Sequence, residues 1–246
     1  MRHDVGPLDR ARVDAYLDPF AGLLVCICEK NALMQLLRMT KIAPPSLRER
    51  RKVETWTALH EAAASLALER GLEHATVEAI ADSAGVSSRT FFNYFRAKED
   101  AVLGLQEPVL DPQLLSRMSS RVDLVAQVSQ LLVAVARTAL GSTDSLRRRQ
   151  LMTAYPHLAQ RQMEYMVKAE ALVCEAVASV LAGDPSWAAG AEGFGADDTA
   201  RMLVMIAGVP VRFNLTSASY DSVRGLRSED LDPSLALLRQ IQRKLS

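Results

Sequence analysis

The chain has 246 residues, 49% of them hydrophobic, and its 29 Lys and Arg residues are balanced by 29 Asp and Glu residues. This length allows a small domain fused to a larger one, and the hydrophobic fraction excludes a disordered chain. Because the formal net charge is zero, binding to nucleic acid would need a local arrangement of positive groups rather than a general positive field.

The cysteines and the apolar segments indicate the cellular compartment in which the protein is found. Cys26, Cys28 and Cys174 are too few for a disulfide framework. No second Cys or His pair follows Cys26 and Cys28 at a metal-ligand spacing, so we expect neither a metal nor a cofactor. The apolar stretch 20–27 is far shorter than the ~20 residues of a membrane helix. Aspartates precede it, unlike the positive start of a secretory signal. These features predict a cytoplasmic protein.

Residues 1–45 form a predicted N-terminal extension, which ends in a Pro44-Pro45 pair that cannot continue a helix. Two interpretations stay open. Met39 is the natural start and the preceding residues come from an upstream start codon, or residues 23–37 form a genuine amphipathic arm. The sequence does not choose between them.

The first predicted helix begins at Ser46, because Ser46 and Glu49 have the spacing of a capping box. Gly71 ends this helix. Apolar residues recur along it at three- and four-residue spacing: Val53, Trp56, Leu59, Ala63 and Leu66.

Two short helices follow. Thr76 caps the second predicted helix, residues 84–86 (Ala-Gly-Val) form a turn, and Ser87 caps a third helix at about 88–94. A fourth helix opens at Lys98, with acidic residues in its first turn. Two short helices joined by a tight glycine turn are typical of a helix-turn-helix, in which the second helix enters the major groove of DNA.

The remainder is also predicted to be helical by its apolar period, with helices at about 124–135, 144–155, 157–181, 197–217 and 232–245. We expect a loop over 183–195 and a kink near Gly208 and Pro210. In the last helix, Leu235, Leu238, Ile241 and Leu245 are predicted to face inward. No alternating strand pattern is present, so the fold is predicted to be all-α: a DNA-binding domain at 46–105 and a larger helical domain at 106–246.

Residues 46–105 resemble the DNA-binding domain of the tetracycline-repressor (TetR) family. The similarity rests on Gly71, residues 76–81 (TVEAIA), 84–87 (AGVS), 90–95 (TFFNYF) and 98–99 (KE). It implies a transcriptional regulator, most often a repressor, that binds a palindromic operator as a homodimer and is released by a small hydrophobic effector. The last two helices would pair with their copies as a four-helix bundle.

The resemblance also implies which residues contact DNA. Arg89 is the candidate for a bidentate contact to guanine, and the remaining positions would contact bases, sugars or phosphates. The family commonly has tyrosine at the position of Phe92 and histidine at that of Tyr94, so the chain departs from the pattern there. The implied DNA-binding set is Thr76, Ser87, Ser88, Arg89, Thr90, Phe92, Asn93, Tyr94 and Lys98.

In the larger domain, methionine and tyrosine side chains suit an adaptable apolar ligand site, although ordinary core packing is the simpler explanation for any one of them. This predicted ligand set is Met152, Tyr155, Met163, Met166, Met202 and Met205. A second stripe suits either a dimer interface or the core: Met202, Val204, Met205, Val209 and Phe213.

The same residues also bear on other functions. The sequence contains no nucleophile–base constellation, no phosphate-binding glycine loop and no metal triad, so we do not expect an enzyme. A transcriptional activator and a helical partner-binding protein that has lost DNA binding stay open as alternatives.

Overall fold

The computed structural model describes residues 46–141, 145–188, 193–221 and 225–245. Across these ranges the ordered elements are helices, with no β-strand, and the all-α prediction is confirmed. The chain divides into two compact units, 1–51 and 52–246, and the packing reported below lies within the second. The predictions made for residues 1–45 lie outside the described residues.

The described ranges contain eleven α-helices and one 3-10 helix, Ser228–Leu231. The α-helices are α1 (Leu47–Arg70), α2 (Val77–Ser83), α3 (Ser88–Phe92), α4 (Lys98–Leu103), α5 (Pro112–Ser116), α6 (Leu124–Leu140), α7 (Ser145–Ala154), α8 (Pro156–Ala182), α9 (Pro185–Ala188), α10 (Ala196–Leu215) and α11 (Asp232–Leu245).

Helix α1 begins and ends where its sequence predicts. The backbone N–H of Ser46 donates to the Glu49 carboxylate at 2.7 Å, and the N–H of Glu49 donates to the Ser46 hydroxyl at 3.2 Å. This reciprocal pair is the predicted capping box. Gly71 follows the last turn with φ +95°, a conformation that side chains disfavour. The prediction that Val53 belongs to the apolar stripe is wrong. Val53 is exposed, because α1 packs against the core only from Trp56 onward.

The core of the predicted DNA-binding domain continues into the larger domain. The cluster that contains Leu59 and Phe91 also contains Ala139, Leu151 and Leu158 from α6, α7 and α8. Helix α4 contacts both α7 and α8. The four-helix DNA-binding domain (residues 46–105, the head) therefore contacts the larger helical domain (residues 106–246, the body) through buried apolar side chains.

Helices α6, α8 and α10 pack against one another and enclose a second aliphatic core. Pro156 is the first residue of α8, where its missing N–H costs no helical hydrogen bond. Short helix α9 lies within the predicted loop. In α11, Leu235 is buried as predicted, but Ile241 and Leu245 are exposed, so the prediction that they face inward is wrong for the single chain.

The search for membrane spans gives one partial match in the described part of the chain. No single helix there is long and apolar enough to cross a bilayer. Helices α6 and α7, bent by 73° at their junction, pass the same test of length and composition only when taken together.

Candidate nucleic-acid interface

Helices α2 and α3 pack against each other across a tight turn. The N–H of Gly85 donates to the Asp82 carbonyl at 3.1 Å, and the N–H of Val86 donates to the Ala81 carbonyl at 2.9 Å. Gly85 has φ +68°, so a side chain at this position would be strained. This geometry closes α2 and reverses the chain into α3, as a helix-turn-helix requires.

Both short helices are capped by hydroxyls. The Thr76 hydroxyl accepts the N–H of Ala79 at 3.2 Å, and the Ser87 hydroxyl accepts the N–H of Thr90 at 3.1 Å. These bonds confirm the two predicted N-caps. Because a hydroxyl has one proton to donate besides its acceptor sites, the Thr76 side chain can still donate to a phosphate oxygen.

Aromatic packing holds α3 on the head. Phe91 is fully buried, with its ring centroid 5.7 Å from that of Phe95. The Phe95 ring in turn lies 5.6 Å from Trp56 of α1. A five-residue helix is not stable alone, so this buried side chain sets the orientation of α3.

The opposite face of α3 is open to solvent. Arg89, Phe92 and Asn93 are all exposed, and their spacing of three and four residues places them on one face of the helix. Phe92 is 59% exposed although its ring touches that of Phe91, with centroids 5.4 Å apart. A large exposed apolar ring beside an arginine and an amide forms a mixed surface that can meet both base edges and sugars.

Four other residues of the predicted DNA-binding set are partly buried or already hydrogen-bonded within the head. Ser88 is half-buried. The hydroxyls of Thr90 and Ser87 lie 2.9 Å apart, so one donates to the other. Tyr94 is half-buried and packs against the head core. Only part of the predicted set therefore lies on the exposed face.

Lys98 has a structural partner. Its Nζ donates to the carbonyl oxygen of Leu72 at 2.8 Å. The N–H of Leu72 is bound as well, by the Tyr155 hydroxyl of the body at 3.1 Å. Both backbone polar groups of Leu72, in the loop between α1 and α2, are therefore hydrogen-bonded to side chains. Lys98 keeps two further ammonium protons for other acceptors.

Two acidic residues of the head are paired with arginines of the body. Glu61 accepts from Arg147 of α7 at 2.6 Å, and the buried carboxylate of Asp100 binds Arg161 of α8. Helix α3 itself carries no acidic residue. The slight excess of acidic residues in the head, nine Asp and Glu against eight Lys and Arg over residues 46–105, therefore does not place a negative charge on α3. These pairs could not be predicted from the sequence, because each joins residues far apart in the chain.

The residues of the predicted ligand set lie in two different environments, and their role in ligand binding stays a prediction. Met152, Tyr155 and Met166 pack against the head core, where they serve as contacts between head and body. The other three, Met163, Met202 and Met205, are exposed.

A cleft of about 310 Å³ lies elsewhere in the body. It is formed by α5, α6 and the 3-10 helix, and half of its lining is apolar. Its lining residues are Leu114, Arg117, Met118, Gln127, Gln130, Leu131, Ala134 and Ser228.

Comparison with known proteins agrees with this geometry. Residues 59–103 match the family of bacterial regulatory proteins described as the tetR family. Over 59 residues the chain is 44% identical to the HTH-type transcriptional regulator TcmR of Streptomyces glaucescens. That stretch is 24% of this chain and 26% of the relative, so the chain matches about a quarter of the curated relative's length.

The fold and the exposed face of α3 define a helix-turn-helix DNA-binding domain. Residues 59–103 match the tetR family of bacterial regulatory proteins, and the resemblance predicted from the sequence is confirmed for this domain.

Proposed function

We propose that the protein is a ligand-responsive transcriptional repressor that binds a palindromic operator as a homodimer. The observation that supports this most directly is the open face of α3, where Arg89, Phe92 and Asn93 are exposed while Phe91 anchors the helix from behind. Such a helix can enter a major groove without rearrangement of the head. A regulator of bacterial genes acts where the chromosome lies, so we expect it in the cytoplasm.

Each predicted DNA contact is part of this proposal. Arg89 would bind guanine O6 and N7 through its planar guanidinium. Thr76, Asn93 and Lys98 have hydroxyl, amide or ammonium protons for sugar or phosphate oxygens. Phe92 would make apolar contact with a sugar or a thymine methyl group. The half-buried residues Ser88, Thr90 and Tyr94, with the cap Ser87, would contribute through their polar edges at the rim of the same face.

The operator is found by mixing the full chain with random fragments of the host genome, recovering bound DNA and sequencing it. We expect an enriched palindrome.

Arg89→Ala should weaken binding by about 1–3 kcal/mol and relax the preference at one base pair of each half-site. Arg149→Ala, which removes an exposed arginine of α7, is the matched control and should bind normally. Recovery of no preferred sequence would contradict the proposal and favour the partner-binding alternative. Transcription from a promoter carrying the operator separates repressor from activator.

Dimerisation is the second part of the proposal. Helix α10 exposes Met202, Met205, Val209 and Phe213, which follow one another along a single face. Val204 belongs instead to the core. Helix α11 packs beside α10 and exposes its own apolar stripe. Apolar rows on adjacent helices fit a four-helix bundle made with the same helices of a second copy.

Two methionines with equal exposure offer a matched test of this interface. Met205 of α10 and Met163 of α8 are each 60% exposed in the single chain. We expect Met205→Glu to yield monomers, because it would bury a charge between the subunits. Met163→Glu should leave the dimer intact. Sedimentation velocity measures both. A monomeric wild type, or dimers of Met205→Glu, would exclude this interface.

The effector is the third part. The cleft between α5 and α6 has a volume at the small end of ligand sites, which span about 300–1,000 Å³. Leu114, Met118 and Leu131 line its apolar part, and Arg117 and Gln130 are polar. We propose that it takes a small amphipathic molecule with an acidic or hydrogen-bond-accepting head. A ligand that binds more tightly to the DNA-free state would release the operator.

Binding at this cleft can be measured with the fluorescent apolar anion 8-anilinonaphthalene-1-sulfonate. Ala134→Trp should fill the cleft and abolish the fluorescence gain. Arg117→Gln should weaken dye binding, whereas Arg121→Gln, outside the lining, should not. Dye binding that none of these substitutions changes would place the ligand site elsewhere.

A further inference from the structure

The carboxylate of Asp100 lies at the junction between head and body. Its side chain is 1% exposed. Arg161 of α8 binds it with two donors, Nε to Oδ1 at 2.7 Å and Nη2 to Oδ2 at 3.0 Å. The N–H of Ala97 donates to Oδ2 at 3.2 Å. Asp100 therefore joins the first residue before α4 and the long helix α8 through a single buried group.

More polar contacts continue along the same junction. Burial and the neighbouring Asp100 carboxylate raise the pKa of the Tyr165 phenol to about 12, so Tyr165 stays neutral beside the ion pair. The Lys168 ammonium lies 4.5 Å from the centre of the Tyr165 ring and binds Glu107 at 3.1 Å. Glu107 also pairs with Arg96, at 3.3 Å. Residues on both sides of α4 are thus tied to one face of α8.

The recognition helix is close to this junction along the chain. Phe92 ends α3, and Ala97 is held directly by Asp100. Phe95 between them is buried in the head core. A change at the junction therefore acts on a short connection whose other end is α3.

We propose that Arg161 is a positioning residue for DNA binding, because through Asp100 it fixes α3 relative to α8. In the dimer, this contact would also set the separation between the two copies of α3, the recognition helices. This inference rests on the proposed binding of a palindrome by a dimer. The bidentate geometry gives it directional character, because a planar guanidinium can satisfy both carboxylate oxygens only in a narrow range of orientations. Lysine would keep the charge and lose the directionality.

The test uses the full-length protein and the operator recovered from genomic fragments. Affinities are measured for three kinds of duplex: a single half-site, the natural palindrome, and palindromes whose half-site spacing is altered by single base pairs in either direction. Arg161→Gln is compared with Arg161→Lys. Glu164→Gln is the matched control, because it removes the exposed partner of the same guanidinium and leaves the Asp100 contacts in place.

We expect Arg161→Gln to bind the half-site like the wild type but to lose roughly tenfold or more in affinity for the natural palindrome, a typical size for coupling between sites. Its preference among spacings should flatten. Arg161→Lys should fall between this variant and the wild type, and Glu164→Gln should match the wild type. A fold defect would instead weaken half-site binding as well, with a loss of helical circular dichroism at the assay temperature.

The inference fails if Arg161→Gln keeps the wild-type spacing profile, or if half-site and palindrome affinities fall together. If Arg161→Gln does not fold, the charge-retaining Arg161→Lys decides by the same criterion. A wild type that selects no palindrome would contradict the proposed function itself, which is distinguishable because it is seen before any variant is made.

Discussion

Helices α3 and α8 differ in how their positions are secured. Helix α3 has five residues and one fully buried side chain, Phe91. Helix α8 has 27 residues and buries side chains along its whole length, from Leu158 to Leu181. Isolated helices shorter than ~12–15 residues are marginal in water, so α3 depends on its cap, its turn and one aromatic contact.

The two helices should therefore respond differently to substitution. In α8 the packing energy is spread over many residues, so each contributes a small share. In α3 a few local features carry both the structure and the exposed DNA-facing surface. Substitution of a buried apolar residue in α3 should therefore affect folding and DNA binding together, whereas substitution of a buried apolar residue in α8 should affect mainly stability.

The largest expected effect is that of Phe91→Ala. Removal of a fully buried phenylalanine costs about 3–5 kcal/mol of unfolding free energy, since it leaves a cavity beside Phe95. DNA binding should be lost with it. Val173→Ala, at a fully buried position of α8, should cost less because fewer atoms are removed, and should retain DNA binding. Urea unfolding and operator binding measure the two effects. Equal losses of DNA binding in both variants would contradict the comparison.

A smaller effect is expected from the caps. Ser87→Ala removes the acceptor for the Thr90 N–H and should cost about 1 kcal/mol, with weaker operator binding. Asp111→Ala removes the cap of α5, which also has five residues but buries none of them. Because α5 contributes little packing, its local unfolding should hardly change global stability. Urea unfolding of both variants is the measurement, and an equal cost would show that packing does not decide the importance of a cap.

The sequence predicted the local features of the head well for a physical reason. A cap such as Ser87 and a turn such as Gly85 act over three or four residues, so the signal and the structure lie in the same short window. The family resemblance added the role of the exposed face, which periodicity alone does not supply.

Long-range features could not be predicted in the same way. Asp100 and Arg161 are 61 residues apart, and the sequence indicated Asp100 only as a favourable charge near a helix start. An apolar period shows that one face of a helix is covered, but not whether the core, a ligand or a second copy covers it, so it cannot decide the role of the exposed methionines. Ile241 in α11 was assigned wrongly for the same reason.

The next prediction concerns pH. His60 of α1 is buried, and its Nδ1–H donates to the Ala101 carbonyl of α4 at 2.7 Å. Burial lowers the pKa of His60 below its usual value of 6.5. The folded protein therefore favours the neutral imidazole. The stability that His60 contributes is complete above pH 6.5 and falls as the pH drops toward the lowered pKa.

His60→Gln should remove this dependence, because the amide can donate to the same carbonyl without titrating. Urea unfolding of both proteins between about pH 7.5 and 5 checks the prediction. The wild type should lose stability more steeply than the variant over this interval. Parallel pH profiles would show that His60 does not report on the contact between α1 and α4.

The smallest effect is expected from Asp198→Asn in α10. Asp198 accepts from Arg201 at 3.1 Å, but the two side chains are 45% and 72% exposed, so water screens the pair and solvates each partner when the other is removed. Neither thermal unfolding nor operator binding should change measurably. The same chemical substitution at Asp100, where the partner arginine binds a carboxylate that water does not reach, should change both. Because the residue types are identical at the two sites, a measurable loss at Asp198 would mean that burial is not what distinguishes the junction between head and body from the surface of α10.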